Sequence, residues 1–199
     1  MNLYRISSAR LQNWDYRWRG AYFITICTHN RECYFGEIVS GTNKTQLSPI
    51  GVIADILWHE IKNHTTHVEF GEFVVMPNHI HGILILTGNM QNGNGNENGN
   101  NNVLVETGHA LSLPKQSTPH PRQTIGQRRY QNIGKNSVSS IIGSYKSAVT
   151  RHAHRLGYNY DWQTRFYDHI IRNDESFRKI SEYIVNNPAR WNNDKFNIE

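Results

Sequence analysis

Two pairs of residues in this chain have types and spacings that could do chemistry. In "VVMPNHIHGILIL", Val74 to Leu86, His79 and His81 stand two apart inside an apolar run that reads as a strand. Strand side chains alternate between faces, so both imidazoles share one face while Ile80 and Leu84 point to the other, toward a core. Neighbouring imidazoles on a central strand can bind one metal ion. The same pair could also be hydrogen-bonded histidines at a strand start. In "EYIVNNP", Tyr183 and Asn187 stand four apart. That spacing stacks them on one helical face, roughly 6 Å apart at Cβ. A phenol beside a neutral amide oxygen suits a metal-assisted nucleophile, with the amide as third ligand. Two plainer readings carry equal weight: Asn187 precedes Pro188 and could cap the helix, and Tyr183 could be a half-buried packing residue.

The elements that must position these groups follow from periodicity. "GAYFITICT" (Gly20 to Thr28) is β-branched and aromatic, a strand. "ECYFGEIV" and "KTQLS" form a short hairpin after it. Ser48 to His64 is a helix: Ser48 caps it, Pro49 fits the first turn, and Ile53, Leu57 and Ile61 recur at helical spacing. His67 to Met76 is a strand, "PN" a turn, and "HIHGILIL" the strand returning antiparallel. Ser137 to Leu156 is a helix whose stripe is Ile141, Ile142, Tyr145, Val149 and Leu156. Trp162 to Arg172 reads as a strand. Asn173 to Pro188 reads as a last helix, docked through Phe177, Ile180 and Ile184. With the hairpin set aside, the order is β-α-β-β-α-β plus a C-terminal helix carrying Tyr183. This is an α+β, ferredoxin-like arrangement: an antiparallel sheet with helices on one face and the other face open for a site.

The length of 199 residues, 37% hydrophobic, suits one domain over 1–199 with a real core. Residues 88–135 break the pattern. "TGNMQNGNGNENGNNN" is Asn/Gly low complexity and "SLPKQSTPHPRQ" carries Pro and Ser, so this stretch reads as a flexible insertion. The net charge is +5, and no Asp or Glu occurs between Thr107 and Tyr160. Lys115, Arg122, Arg128, Arg129, Lys135, Lys146, Arg151 and Arg155 fall there, the footprint of a phosphate partner or a solvated basic loop. The two cysteines, Cys27 and Cys33, lack redox or zinc-knuckle spacing, which implies a reducing cytosolic setting. No apolar window reaches the length of a membrane span.

Three segments together resemble the REP-associated tyrosine transposases, relatives of the single-tyrosine HUH insertion-sequence transposases. They are "GAYFITICTHNRECYFGEI", "FVVMPNHIHGILIL" and "WQTRFYDHIIRNDESFRKISEYIVNNPARW". The HUH motif is His79-Ile80-His81. The resemblance implies that His79 and His81 are metal ligands, that Tyr183 is the nucleophile, and that Asn187 is the third ligand. The insertion-sequence relatives more often carry Gln at that last position, one methylene longer. Three other tyrosines compete for the nucleophile's role. Tyr145 lies in its helix's apolar stripe, Tyr130 in the insertion, and Tyr167 in a strand whose aromatic neighbours suit packing.

The implied chemistry is nicking and strand transfer on single-stranded or hairpin DNA through a 5′-phosphotyrosine link. Hard oxygen ligands at phosphorus favour Mg²⁺ or Mn²⁺. Two neutral histidines and an amide would leave the loaded site cationic. Arg128, Arg129, Lys146, Arg151 and Arg155 would contact phosphates. Arg17, Trp18 and Arg19 of "YRWRG" could stack bases, with core packing of Trp18 equally open. Such a protein would be cytoplasmic and nucleoid-associated, a monomer or homodimer, with no membrane partner. Its alternative is a non-catalytic DNA- or RNA-hairpin binding protein of the same fold. An HxH amidohydrolase would need a barrel of about 250 residues. A zinc-stabilised protein using His64, His67 or the cysteines lacks paired spacing.

Overall fold

The computed structural model describes residues 14–39, 42, 44–65, 67–88 and 136–197. The expected insertion beyond Gly88, with Arg128, Arg129 and Tyr130, lies outside the described residues.

The elements, in order, are β1 (Gly20–Cys27), β2 (Gly36–Val39), β3 (Lys44–Leu47), α1 (Pro49–His64), β4 (Val68–Val75), β5 (His79–Leu86), α2 (Val138–Arg155), β6 (Tyr167–Ile171) and α3 (Asp174–Val185). Two 3₁₀ turns, His29–Arg31 and Pro188–Asn193, follow β1 and α3. Four strands make one sheet in the order β4-β5-β1-β6, every neighbouring pair antiparallel. β2 and β3 pair separately as the expected hairpin. The expected ferredoxin-like β-α-β-β-α-β order is therefore the observed one.

The helices start where their caps lie. The side chains of Ser48, Ser137 and Asn173 accept from the backbone N–H groups of Gly51, Ser140 and Ser176, each satisfying a donor that the first turn leaves free. α3 ends on Asn186, whose Nδ2 donates to the Glu182 carbonyl at 2.8 Å. Asn186 thus does the capping that Asn187 had been a candidate for, and the Asn187 side chain is released for another task.

Period two sorts the sheet's residues between two layers. Tyr22, Ile24, Ile26, Ile80 and Leu84 pack under α1 and α2 with Trp58, Ile142, Tyr145 and Val149. The opposite face carries Phe23, Ile83 and Ile171, covered by α3 through Phe177, Ile180 and Ile184. His79 and His81 share parity with Ile83, so the imidazoles face α3 rather than the main core. Tyr145 is buried, and its hydroxyl donates to the Ala54 carbonyl at 2.8 Å. It is a core residue, and Tyr145→Phe should cost about 1 kcal/mol in urea unfolding by removing that buried hydrogen bond.

Trp58 lies flat on Phe73, ring centroids 4.7 Å apart at 14°. Gly82 makes room for this stack, because a Cβ there would sit 2.5 Å from Trp58 Cζ2. Gly82→Ala should therefore destabilise by about 1–3 kcal/mol, as overpacking does. An unchanged urea midpoint would show that the indole moves aside freely.

The expected strand from Trp162 is shorter than the aromatic run suggests. Trp162 makes only an isolated bridge to Thr28, and its indole N–H donates to the Lys146 carbonyl at 3.1 Å. It packs as a core ring, and regular pairing with β1 begins at Tyr167. No helix among the described residues is long and apolar enough to cross a membrane.

Candidate active site

β5 starts directly after the Pro77–Asn78 turn, which puts His79 opposite Cys27 and His81 opposite Thr25 on β1. Both imidazoles are buried, His79 at 0% and His81 at 1% exposure, with ring centroids 4.5 Å apart. The hydrogen bonds around them decide their tautomers. Asn78 Nδ2 donates to two carbonyls, those of Arg31 at 3.0 Å and Phe196 at 2.7 Å. Its Oδ1 is therefore the atom facing His79 Nδ1 at 2.8 Å. An amide oxygen can only accept, so His79 carries its proton on Nδ1 and presents a bare Nε2. His81 Nδ1 lies 2.9 Å from Thr25 Oγ1, and its Nε2 lies 3.3 Å from the Tyr183 hydroxyl. With that phenol donating to Nε2, the proton of His81 also rests on Nδ1. Partners of this kind on the far nitrogen orient metal-binding histidines.

Burial pulls His79 down from 6.5 to about 3, with the neighbouring Asn187 amide opposing the shift. His81 is also held well below the usual histidine range, by burial first and then by His79 beside it. Both rings are neutral near pH 7, the form in which imidazole binds a metal.

The last turn of α3 and the start of the 3₁₀ turn after it bring Tyr183 and Asn187 to the same spot. The Tyr183 ring lies 5.3 Å from the His81 ring and edge-on to Phe23 at 6.1 Å. Burial raises its hydroxyl above the usual tyrosine value, and Asp194 adds to the shift. Asn187 is buried, and its Nδ2 donates to Asp194 Oδ2 at 3.0 Å. A carboxylate accepts only, so the amide nitrogen faces Asp194 and Oδ1 turns inward. Asn187 Oδ1 and His79 Nε2 are both buried acceptors with no hydrogen-bond partner among the described residues. Orphaned buried acceptors are costly, and a cation would satisfy both at once. The four sequence-predicted residues thus come together, and their donors fit a divalent ion.

The structure adds Asp194. Its carboxylate and the two imidazoles offer ligand atoms all within 4.8 Å of one another. Asp194 thus stands beside the expected neutral donors, and its negative charge would offset part of a bound cation's. Nothing in "WNNDKFNIE" has motif spacing to His79; the 3₁₀ turn Pro188–Asn193 folds the chain back and delivers Asp194. Beyond it, Phe196 lies against the imidazoles, 4.5 Å from His79 and 5.8 Å from His81 between centroids. Arg31 sits over the Phe196 ring at 5.1 Å and donates to the Lys195 carbonyl at 2.9 Å. Asn30 and Arg31 have φ of 49° and 57°, a left-handed turn disfavoured for L-residues, and Asn78 holds its carbonyl end.

An open cleft of about 920 Å³ runs from His81 and Tyr183 past Phe23 and Tyr167, with Arg31, Arg190 and Lys195 as its cations. Of the residues expected to touch DNA, Arg128 and Arg129 lie outside the described residues, and the described ones lie away from this cleft. Arg17 is held by Asp15 through its guanidinium at 2.9 and 3.0 Å, and exposed Trp18 stands edge-on to Trp14. Arg19 is exposed and does not line the cleft. Lys146 Nζ donates to the Gln163 carbonyl at 2.6 Å beside the Trp162 ring. Arg151 and Arg155 are exposed on α2, the helix covering the other face of the sheet. Charge counting along a sequence could not have distinguished these from Arg31, Arg190 and Lys195, which come from two segments far apart in the chain.

The fold is similar to that of the REP-associated tyrosine transposases. A solved transposase of that class, bound to a REP hairpin, superposes with a TM-score of 0.51 at 19% identity, covering 94% of this chain and 74% of that one. No family model matches the sequence. The chain belongs to the family of an uncharacterized protein of Haemophilus influenzae, 35% identical over 193 residues, 96% of this chain and 93% of that protein.

Proposed function

We propose that the protein nicks and rejoins single-stranded hairpin DNA of the repetitive palindromic kind, using Tyr183 as nucleophile. The observation that carries this reading is the Tyr183 hydroxyl, 3.3 Å from His81 Nε2 and beside two orphaned acceptors. His79, His81 and Asn187 would hold a divalent ion, Mg²⁺ or Mn²⁺, with Asp194 as a further candidate ligand. When bound, such an ion polarises a phosphate as a Lewis acid. Tyr183 Oη attacks phosphorus, and its proton passes to water in the open cleft. The bond from phosphorus to the 3′-oxygen breaks as the tyrosyl bond forms, and the departing oxygen takes a proton from water. The product is a 5′-phosphotyrosine link and a free 3′-hydroxyl. Attack by another 3′-hydroxyl reverses the exchange, so rejoining needs no external energy. The cations Arg31, Arg190 and Lys195 hold neighbouring phosphates. A hairpin-binding protein without catalysis would have no use for a phenol among bare imidazole nitrogens.

The test is to mix the protein with an end-labelled single-stranded hairpin, taken from palindromes flanking its gene, plus Mn²⁺, and run a denaturing gel. A labelled covalent adduct is expected, and excess chelator should abolish it. An adduct undiminished in chelator would remove the metal from the mechanism, and no adduct with any flanking palindrome would leave only the binding reading.

A further inference from the structure

We infer that Tyr167 is a base-stacking residue, seating the nucleobase next to the phosphate that Tyr183 attacks. The inference rests on the proposed reading of the site and extends it to substrate recognition. Its first support is register. Tyr167 pairs with Thr25, and Thr25 pairs with His81, so the three stand in one row across β6, β1 and β5. Residues in a row share a face, and neighbouring strands lie about 4.8 Å apart. Tyr167 therefore stands two strands from His81, roughly 10 Å at Cα, on the surface the imidazoles face. A nucleotide adjoining a phosphate at Tyr183 reaches that position.

The second support is exposure. Tyr167 is 49% exposed on an edge strand, and it lines the cleft together with Phe23 and Tyr183. Edge strands are ordinarily blunted with charged residues or proline, which discourage unwanted pairing. Phe23 braces the Tyr167 ring from the side, centroids 6.4 Å apart at 71°. No described residue hydrogen-bonds the Tyr167 hydroxyl, so the ring rather than the hydroxyl is the functional part. Arg190 and Lys195 line the same cleft, where a backbone entering the site needs cations. An aromatic face beside phosphate-binding cations is the arrangement that holds single strands, because every base has a π-face to stack. Bases in a paired stem have no such face free. The ligand is therefore the unpaired flank of a hairpin.

Fluorescence anisotropy in EDTA measures this without cleavage. The probes are a labelled hairpin with a short single-stranded flank and the same stem without it. Stacking is worth about 1–3 kcal/mol per base, so Tyr167→Ala should bind the flanked hairpin about five- to 150-fold more weakly and the bare stem as wild type does. Tyr167→Phe should match wild type on both probes and still form the adduct. Tyr167→Leu, which keeps apolar bulk on the strand, should lose as much as alanine does. Equal losses on both probes, or no loss in the alanine and leucine variants, would overturn the inference. A loss in Tyr167→Phe equal to that in alanine would also overturn it, by moving the contact to the hydroxyl. Wild-type protein that binds neither probe would sink the DNA reading itself.

Discussion

Tyr183→Phe should fold, bind a flanked hairpin with wild-type affinity, and form no covalent adduct. The substitution removes one atom. The ring keeps its contacts with His81 and Phe23, at 5.3 and 6.1 Å between centroids, and α3 remains docked through Ile184, which is fully buried. Stability should change by less than about 1 kcal/mol, since the lost hydrogen bond to His81 is long at 3.3 Å. Phenylalanine has no atom that can attack phosphorus, so adduct formation should vanish rather than slow. Tyr145→Phe is the control: its hydroxyl is committed to the Ala54 carbonyl on the far side of the sheet, and its adduct should persist. A denaturing gel with end-labelled hairpin reads both variants. An adduct that survived in Tyr183→Phe and disappeared in Tyr145→Phe would place the nucleophile on α2.

His79→Ala or His81→Ala should lower Mn²⁺ affinity more than about a hundredfold and abolish the adduct. Losing even an outer partner of a metal ligand costs 10–100-fold, and each histidine would supply an unprotonated Nε2 directly. Hairpin binding should remain, because phosphate contacts supply most of the affinity, and it should fall steeply with added salt in wild type and variants alike. A melting experiment separates ligand loss from misfolding. Mn²⁺ at a hundred times its dissociation constant stabilises a protein that binds it by about 2.7 kcal/mol. Wild type should melt higher when Mn²⁺ is added, and the histidine variants should not. Asn78→Ala should fall between them, since Asn78 only fixes the tautomer of His79 through the 2.8 Å bond to Nδ1. Unchanged Mn²⁺ binding in both histidine variants would refute the ligand assignment.

The sequence by itself determined what depends on neighbours along the chain. Period two put His79 and His81 on one face and Ile80 on the other. Period 3.6 put Tyr183 on the last turn of α3, facing the sheet, and Ser48 and Asn173 marked helix starts as caps. These are local effects: the residue types decide them within one turn or one pleat, whatever surrounds them. The fold class followed too, because the succession of elements leaves few antiparallel ways to bury both helices of the main core. What only the tertiary structure decided depends on distance through space. The register of β1 against β5 set Thr25 beside His81. The Asn78 amide reached Arg31, 47 residues away, and Phe196, 118 away. The 3₁₀ turn after α3 returned Asp194 to Asn187 and aimed the amide oxygen inward. The cations of the cleft came from two segments far apart in the chain, while the described part of the acid-free run contributed Lys146 to a backbone carbonyl and Arg151 and Arg155 to the outside of α2. Hydrogen-bond partners of a buried site are chosen by where the sheet and the final helix bring them, and no spacing along a chain encodes that meeting point.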